Sequence, residues 1–225
     1  MKSTAILIPA RYESSRYPGK PLVNLGEMTM IERVYETCAD TGLDTYVLTD
    51  DYRIASLFND NNCRLDTTEY NNGTERCAGA LDKIPEYDQY INVQGDMPDV
   101  NKHMINKVIW HLKHYPITTL FTDMPEKMRN DPNSVKVVRG GDKALWFGRG
   151  MAGYGDWHLG IYGYKRNPLQ FYSKYGIIEE ERIEQLEQLR WLKTGWDIGI
   201  LHTEFNGIEI NTPEDEKRWN EKWLI

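Results

Sequence analysis

The feature that most constrains the fold is the alternation of short apolar runs with amphipathic helical segments across the first half of the chain. Apolar runs typical of strands occur near residues 6–8, 45–48, 88–93 and 117–121, and helical patterns lie between them. Consecutive parallel strands need a long crossover connection, which a helix usually supplies. The alternation therefore predicts βαβ units around a mainly parallel sheet, which is an α/β fold.

After residue 134 the pattern changes. Two strand-like runs, 135–138 and 144–147, flank Gly140-Gly141, a spacing typical of an antiparallel hairpin. Later elements are predicted in this order: a strand at 159–164, one helix over 179–193, strands at 196–202 and 207–210, and a C-terminal helix opened by Thr212-Pro213. We therefore expect one domain over residues 1–225, with a small antiparallel insertion at about 134–164.

Two helices carry more detailed expectations. Thr29 and Glu32 have the spacing of a capping box, and Gly42 marks the end of the helix that they begin. His111 and His114, three residues apart, fall on the polar side of the helix that starts at Asn101, without a supporting ligand motif. We expect both histidines at the surface.

Composition excludes several classes of protein. The formal charge of -7 and the pI near 5.3 argue against a general nucleic-acid or anionic-membrane binder, which would need a basic surface. Three cysteines without Cys-x-x-Cys spacing favour buried thiols in a reducing compartment. The apolar run before Pro9 is too short for a signal-peptide core, and no run has the length of a membrane-spanning helix. A soluble cytoplasmic protein is expected.

A basic loop, residues 11–20, directly follows the first strand. Its cations and small residues are Arg11, Ser14, Ser15, Arg16, Gly19 and Lys20. Guanidinium groups bind phosphate oxygens bidentately, and small residues let backbone N–H groups approach them, so the loop predicts a polyphosphate site. It is not a P-loop, because Pro21 follows Lys20 and biases it away from helical angles. The alternative is a solvated basic turn.

Asp96 is a candidate magnesium ligand. It follows the strand at 88–93 and comes directly after Gly95, where the chain turns. Ligands of open α/β sheets bind beyond the carboxyl ends of the strands, and Mg²⁺ takes one or two carboxylates together with substrate phosphate oxygens. The alternative role is a helix N-cap, for which Asp99 or Asn101 is better placed.

These motifs resemble those of one known family over nearly the whole chain. The matching blocks, in order, are the basic loop, Asn72-Gly-Thr-Glu-Arg76, Val93-Gln-Gly-Asp96, His158-Leu-Gly-Ile-Tyr-Gly-Tyr164, Leu186-Glu-Gln-Leu-Arg190 and Asn211-Thr-Pro-Glu-Asp215. Together they resemble the 3-deoxy-manno-octulosonate cytidylyltransferase (CMP-Kdo synthetase) family. The resemblance implies a Rossmann-like, GT-A-like nucleotidyltransferase fold.

The resemblance also implies an activity. It is CMP transfer from CTP to the anomeric hydroxyl of an acid sugar, here 3-deoxy-D-manno-octulosonate (Kdo), with release of pyrophosphate and with Mg²⁺ as cofactor. An amino-substituted Kdo or another ulosonic acid is the open alternative. The partners implied are CTP, the acid sugar and a second copy of the chain in a homodimer.

The same resemblance assigns roles to residues. The catalytic set is Arg11, Arg16, Lys20 and Asp96. The nucleotide-binding set is Arg11, Ser14, Ser15, Lys20, Asn72, Gly73, Thr74 and Arg76, with Glu75 lining the same region. The acid-sugar set is Gln94, His158, Tyr162, Glu187 and Gln188. Each block read alone has a structural explanation; for example, His158 and Tyr162 also fit a core-facing strand face.

Three positions depart from the family pattern. Asn211 stands where the family usually has an aspartate, and an amide adds no charge at a metal. We expect Glu209, two residues back on the same strand face, to act with Asn211 and Asp96 as metal ligands. The segment from Gly150 to Trp157 is shorter than in the family, and residues 69–72 differ beside an intact Gly-Thr-Glu-Arg core. These departures affect the outer wall of the sugar pocket, the dimer contact and the choice of nucleotide base.

Two other functions are alternatives to cytidylyl transfer. A metal-dependent glycosyltransferase would typically carry Asp-x-Asp, which does not occur in this sequence. A non-catalytic nucleotide-binding regulator is the other alternative, and Asn211 is the residue that favours it.

Overall fold

The computed structural model describes residues 2–14 and 16–223. Its strands are β1 (Lys2–Ala10), β2 (Asn24–Leu25), β3 (Met28–Thr29), β4 (Asp44–Thr49), β5 (Cys63–Leu65), β6 (Tyr87–Val93), β7 (Ile117–Thr122), β8 (Lys136–Gly140), β9 (Lys143–Gly148), β10 (Asp156–Lys165) and β11 (Ile198–His202). Its α-helices are α1 (Met30–Ala39), α2 (Tyr52–Ala55), α3 (Gly73–Gly79), α4 (Lys102–His111), α5 (Arg166–Tyr172), α6 (Glu179–Glu184), α7 (Leu189–Lys193) and α8 (Pro213–Trp223). None of the helices described has the length and apolar character needed to cross a membrane.

The chain divides into two compact units. Unit 1 comprises residues 1–103 and 206–225, and unit 2 comprises residues 104–205. The expected single-domain organisation stays a prediction. Each unit is described by itself below.

The main sheet of unit 1 is parallel, with the strand order β5-β4-β1-β6. In the middle of it, Ile6, Leu7 and Ile8 of β1 are all 0% exposed, so both faces of this strand are covered, as parallel sheets require. Helix α1 begins at Thr29 with a complete capping box, in which Glu32 Oε2 accepts the Thr29 N–H at 2.9 Å. The predicted βαβ arrangement of this part of the chain is confirmed.

The C-terminal segment belongs to unit 1 but does not form the strand predicted at 207–210. The Ile208 N–H donates to Asp99 Oδ2 at 2.8 Å, and the Ile210 N–H donates to the Asp96 carbonyl oxygen at 3.0 Å. Both backbone N–H groups therefore donate to the turn after β6 and do not pair with a neighbouring strand. Ile210 then packs with Trp219 of α8 in a buried cluster that includes Leu25.

Unit 2 contains a mixed sheet with the strand order β10-β7-β11-β9-β8. Strands β7 and β11 are parallel, whereas β8 pairs antiparallel with β9 and with β10. The predicted hairpin is confirmed, and Gly141, with φ 65°, lies in its turn. Antiparallel pairing also extends beyond the expected insertion, because β10 pairs antiparallel with β7.

The prediction of a single helix over 179–193 is wrong. Helix α6 ends at Glu184, Gln185 follows it with φ 55°, and α7 starts at Leu189. Buried Arg190 donates to Glu181 from Nε at 2.8 Å and from Nη2 at 2.6 Å. A continuous helix would separate these residues by about 13 Å along its axis and put them on opposite faces. The break brings them together, and Ile183 of α6 is 71% exposed.

His111 is not at the surface as predicted. It is 2% exposed, and burial lowers the pKa of its imidazole below the ordinary value. Its ring packs over Gly199 of β11, where an added Cβ would lie 2.8 Å from the ring and 2.4 Å from Tyr115. The burial follows from this glycine on a neighbouring strand, which the helical pattern of 101–112 does not reveal.

Candidate active site

The basic loop of unit 1 is closed by backbone bonds at its base. The Gly19 N–H donates to the Tyr12 carbonyl at 2.9 Å, and Gly19 has φ 74°, a conformation that favours glycine. An added Cβ there would lie 3.1 Å from the Tyr12 side chain. The Tyr17 hydroxyl donates to Glu216 of α8, and burial, followed by this contact, raises the Tyr17 pKa to about 12. The loop is therefore held by its own turn and by α8.

The loop cations meet polar side chains from two distant segments. Lys20 Nζ donates to Asp96 Oδ2 at 2.7 Å, and Arg16 Nη2 donates to Asn211 Oδ1 at 3.1 Å. The bond from Ile210 N–H to the Asp96 carbonyl oxygen holds Asn211 beside Asp96. The structure thus brings together two predicted cations and two predicted metal ligands. Arg11 is exposed and Ser14 half-buried, while Ser15, also predicted to bind the nucleotide, lies outside the described residues.

This cluster lies at the carboxyl ends of β1 and β6, which are neighbouring parallel strands. The basic loop follows Ala10, and Asp96 follows Val93 after a short turn. At Gly95 an added Cβ would come within 3.2 Å of the Pro9 carbonyl oxygen. A glycine here lets the turn carrying Asp96 pass close to the end of β1. This edge of an α/β sheet is where ligands bind.

The oxygen donors of the cluster fit Mg²⁺ in kind. Asp96 offers a carboxylate oxygen, and Asn211 offers an amide carbonyl oxygen. The Asn211 backbone N–H donates to Asp215 Oδ2 at 3.1 Å, and this bond fixes the Asn211 backbone at the start of α8. The described residues contain no group of three or more His, Cys, Asp or Glu side chains able to hold a metal. Mg²⁺ with substrate phosphates needs only one or two protein carboxylates.

Glu209 is half-buried in the segment before Asn211. Because no strand forms at 207–210, strand alternation no longer supports its placement on one face with Asn211. Its part in metal binding stays a prediction.

The predicted nucleotide block forms the first turn of α3. The Asn72 side chain caps the helix by accepting the Glu75 N–H at 2.8 Å. Thr74 is 0% exposed, and Arg76, 5% exposed, donates to Asp50 Oδ2 at 2.6 Å. Both side chains are buried within unit 1 in this structure, and their contact with a nucleotide stays a prediction.

Gly73 brings the same block to the end of β1 and to the turn that carries Asp96. An added Cβ at Gly73 would lie 3.1 Å from the Gln94 side chain and 3.2 Å from Pro9. Gln94, predicted to reach the sugar, therefore packs against the nucleotide block within unit 1. A side chain at position 73 would require Gln94 or Pro9 to shift by a few tenths of an ångström.

The other predicted acid-sugar residues lie in unit 2. His158 is 4% exposed, its Nε2 lies 2.9 Å from Thr119 Oγ1, and its ring packs edge-on against Phe147. Burial, and then the charge of Arg149, lower the His158 pKa to about 3, so the imidazole is neutral. Tyr162 is 3% exposed. Both belong to the core of this structure, as the structural explanation of their strand predicted, and sugar contact stays a prediction.

Glu187 and Gln188 occupy the break between α6 and α7. Glu187 is half-buried, and its carbonyl oxygen accepts the Tyr172 hydroxyl at 3.0 Å. Gln188 is 1% exposed, and its Nε2 has no hydrogen-bond partner within the described chain. Neither residue lies on an exposed helix face.

Cys38, Cys63 and Cys77 are buried, and none of them forms a disulfide bond within the described residues. Burial raises the pKa of the Cys38 thiol, and it raises that of Cys63 to about 11. The thiolate is the reactive form, so the Cys38 and Cys63 thiols are inert at neutral pH.

Asp99 is an anchoring residue that sequence reasoning considered only as a helix cap. Its Oδ2 accepts the Ile208 N–H and its Oδ1 accepts the Trp219 Nε1–H, both at 2.8 Å. It thereby holds the segment that ends in Asn211. The two tryptophans of an otherwise polar C-terminal helix, Trp219 and Trp223, were the signal in the sequence.

A parallel α/β unit with a basic loop and a carboxylate at adjoining strand ends provides the cations for phosphate and the oxygen ligand for a metal that a nucleotide-binding enzyme needs. A family model described as cytidylyltransferase matches residues 5–201. The chain belongs to this cytidylyltransferase family, in the group formed by the 3-deoxy- and 8-amino-3,8-dideoxy-manno-octulosonate cytidylyltransferases. The resemblance of its motifs to the first of these is confirmed.

Individual relatives support this placement. A 3-deoxy-manno-octulosonate cytidylyltransferase from Fusobacterium nucleatum is 39% identical, with 93% of this chain and 92% of the relative covered. An 8-amino-3,8-dideoxy-manno-octulosonate cytidylyltransferase from Shewanella pealeana is 36% identical, with 95% of each covered.

A solved structure agrees with this placement over the full length. A CMP:2-keto-3-deoxy-manno-octonic acid synthetase complexed with CTP has a TM-score of 0.90 at 30% identity and 99% coverage of both chains. A 4-diphosphocytidyl-2C-methyl-D-erythritolsynthase from Anaerococcus prevotii shares the fold, with a TM-score of 0.70 at 16% identity and coverage of 100% and 99%.

Proposed function

We propose that the chain transfers CMP from CTP to the anomeric hydroxyl of 3-deoxy-manno-octulosonate, with release of pyrophosphate. The observation that carries the proposal is the cluster of Arg16, Lys20, Asp96 and Asn211 at the ends of β1 and β6. Relatives named for Kdo and for its 8-amino analogue both match most of the chain, so the amino sugar is the alternative acceptor.

In the proposed reaction, the sugar hydroxyl oxygen forms a bond to the α-phosphorus of CTP while the bond from that phosphorus to the pyrophosphate oxygen breaks. The hydroxyl proton is released, and negative charge accumulates on the departing pyrophosphate. Arg11, Arg16 and Lys20 would hold the triphosphate and neutralise this charge, since fixed cations cost no reorganisation during the reaction. The inert thiols agree with direct attack by the sugar.

The cofactor proposed is Mg²⁺, held by Asp96 with Asn211 and Glu209. When bound, it would supply a positive charge that polarises phosphate oxygens. Lys20 neutralises Asp96 in the present structure. A triphosphate in the basic loop would compete for the same ammonium group and leave the Asp96 carboxylate available.

The test crosses the four common nucleoside triphosphates with Kdo, 8-amino-Kdo and a neutral sugar, with and without Mg²⁺, and measures pyrophosphate release. We expect release with CTP, an acid sugar and Mg²⁺ together. Release with the amino sugar in preference to Kdo would identify the alternative acceptor. Tight CTP binding without release for either acid sugar would support the non-catalytic regulator instead.

We further propose that the enzyme is a homodimer in the cytoplasm. The burial of all three cysteines, with no disulfide bond in the described chain, supports a reducing compartment. Sedimentation equilibrium at micromolar concentrations should give the mass of two chains. A mass of one chain throughout that range would contradict the dimer.

A further inference from the structure

Two hydrogen bonds hold the C-terminal segment of unit 1 against the turn that follows β6. The Ile210 N–H donates to the Asp96 carbonyl oxygen at 3.0 Å, and the Ile208 N–H donates to Asp99 Oδ2 at 2.8 Å. One hydrogen bond would let the segment rotate about the contact, whereas two set its direction. Asn211 is the next residue along this segment, so the direction of the segment determines where the Asn211 side chain lies.

The Asp99 carboxylate also holds the helix that follows Asn211. Its Oδ1 atom accepts the Trp219 Nε1–H at 2.8 Å, and its Oδ2 atom accepts the Trp223 Nε1–H at 3.3 Å. Trp219 is 3% exposed and belongs to the same buried cluster as Ile210. Hydrogen bonds to an ionised acceptor are roughly twice as strong as those between neutral groups. Asp99 therefore restrains the chain on both sides of Asn211.

The side chain that this arrangement places is a predicted metal ligand. Asn211 Oδ1 accepts a hydrogen bond from Arg16 at 3.1 Å. Asp96 Oδ2 accepts one from Lys20, on the same loop, at 2.7 Å. Mg²⁺ demands near-ideal octahedral geometry, with ligands at about 2.0–2.1 Å. The amide of Asn211 carries no charge that would attract the ion from a distance, so its contribution to binding depends on its placement.

The donors around position 99 require a carboxylate. A backbone N–H and an indole N–H reach different oxygen atoms, Oδ2 from Ile208 and Oδ1 from Trp219. Asparagine has one acceptor oxygen, and its amide N–H group would face the other donor. An apolar residue would leave both donors without this acceptor. Aspartate is therefore the residue that keeps both contacts at once.

We propose that Asp99 is a positioning residue for metal binding, because it holds Asn211 beside Asp96. The inference deepens the proposed function, on which it rests for Asn211 as a ligand of Mg²⁺. In this role Asp99 acts through Asn211 and does not contact the metal. Replacement of the outer partners that orient metal ligands typically lowers metal affinity by about 10- to 100-fold.

The test measures metal binding by the full chain in the presence of α,β-methylene-CTP, an analogue that cannot release pyrophosphate. Mn²⁺ replaces Mg²⁺, because free Mn²⁺ gives a strong electron paramagnetic resonance signal. Asp99→Ala should raise the Kd for Mn²⁺ about 10-fold. Asp99→Asn, which keeps one acceptor oxygen, should give a smaller increase. The matched control, Asp88→Ala, removes an exposed carboxylate near the amino end of β6 and should leave the Kd unchanged.

A double-mutant cycle with Asn211 distinguishes positioning from a merely structural role. If Asp99 acts through Asn211, Asp99→Ala should change the Kd for Mn²⁺ little in an Asn211→Ala background. Tyr87→Phe is the control for stability. It removes a hydroxyl that donates to Asp44 at 2.8 Å, at the amino end of β6, and should leave the Kd unchanged. Circular dichroism checks folding, and Asp99→Asn serves alone if Asp99→Ala does not fold.

Three results would overturn the proposal: an unchanged Kd for Mn²⁺ in Asp99→Ala, an equal loss in both backgrounds, or wild-type Mn²⁺ binding by Asn211→Ala. A parallel assay of pyrophosphate release with CTP and the acid sugars separates this failure from failure of the proposed function. Release by the wild type, with unchanged Mn²⁺ binding in Asp99→Ala, would remove the positioning role and leave the reaction standing. Mn²⁺ binding that depends on Asp99, without release, would do the reverse.

Discussion

The Lys20 ammonium donates to the Asp96 carboxylate at 2.7 Å, although 76 positions separate the two residues. The pair joins the basic loop to the turn after β6, and each side chain keeps some exposure, 14% and 28% respectively. A cation and a carboxylate that both remain accessible at the ends of parallel strands are available to a phosphate and to a metal.

Replacement of Lys20 by Met should weaken CTP binding. A charge-assisted hydrogen bond contributes about 1.5–3 kcal/mol, so the KM for CTP should rise ~10- to 100-fold while the KM for the acid sugar changes little. Lys217→Met, which removes a side chain 79% exposed on α8, is the control. A larger effect on the sugar than on CTP would contradict the assignment of Lys20 to the triphosphate.

Asp96→Asn should reduce kcat by at least ~100-fold and weaken CTP binding much less. The physical reason is that charge at this position is needed most as negative charge develops in the transition state. Steady-state kinetics and calorimetric titration with CTP measure the two quantities. Equal losses in both would give Asp96 a binding or structural role.

The contribution of Glu209 to the metal site is tested by the Mg²⁺ requirement. Glu209→Ala should increase the Mg²⁺ concentration that gives half-maximal turnover, because a second negative charge near the metal is lost. Glu204→Ala removes an exposed carboxylate from the same segment and serves as the control. An unchanged Mg²⁺ requirement would mean that Asp96 and Asn211 act without Glu209.

Breaking the ion pair between Arg190 and Glu181 should destabilise unit 2 strongly. The two side chains are 1% and 7% exposed, so Arg190→Met would leave a buried carboxylate without its guanidinium, at a cost of about 3–5 kcal/mol. The double variant Arg190→Met/Glu181→Leu should recover much of that loss. Urea unfolding measures both, and Arg182→Met on the exposed face of α6 should change stability by less than ~0.5 kcal/mol.

His158 should make stability depend on pH. Its pKa is about 3 in the folded chain against an ordinary 6.5, so below pH 6.5 the unfolded chain binds a proton that the folded chain does not. Its contribution is complete above pH 6.5 and falls by up to ~1.4 kcal/mol per pH unit between 6.5 and 3. Between pH 7 and pH 5.5 the wild type should lose about 1 kcal/mol more than His158→Gln. Equal losses in urea unfolding would mean that His158 titrates normally.

Local patterns were sufficient for much of the fold. The capping box at Thr29 and the hairpin around Gly141 formed as predicted, because each depends on hydrogen bonds between residues close in sequence. The parallel sheet of unit 1 also formed, since βαβ units leave few arrangements open. The helical pattern did not predict the break at Gln185. The break depends on the ion pair between Glu181 and Arg190, which lie on either side of it.

The sequence by itself determined the family, the parallel sheet and the chemical character of the basic loop, because these depend on residue type and short spacing. Only the tertiary structure decided which side chains meet. Lys20 reaches Asp96 and Asp99 binds Trp219, 120 positions away, through contacts that no local pattern encodes. It also decided that His158 and Arg190 are buried, since burial depends on how separate elements pack.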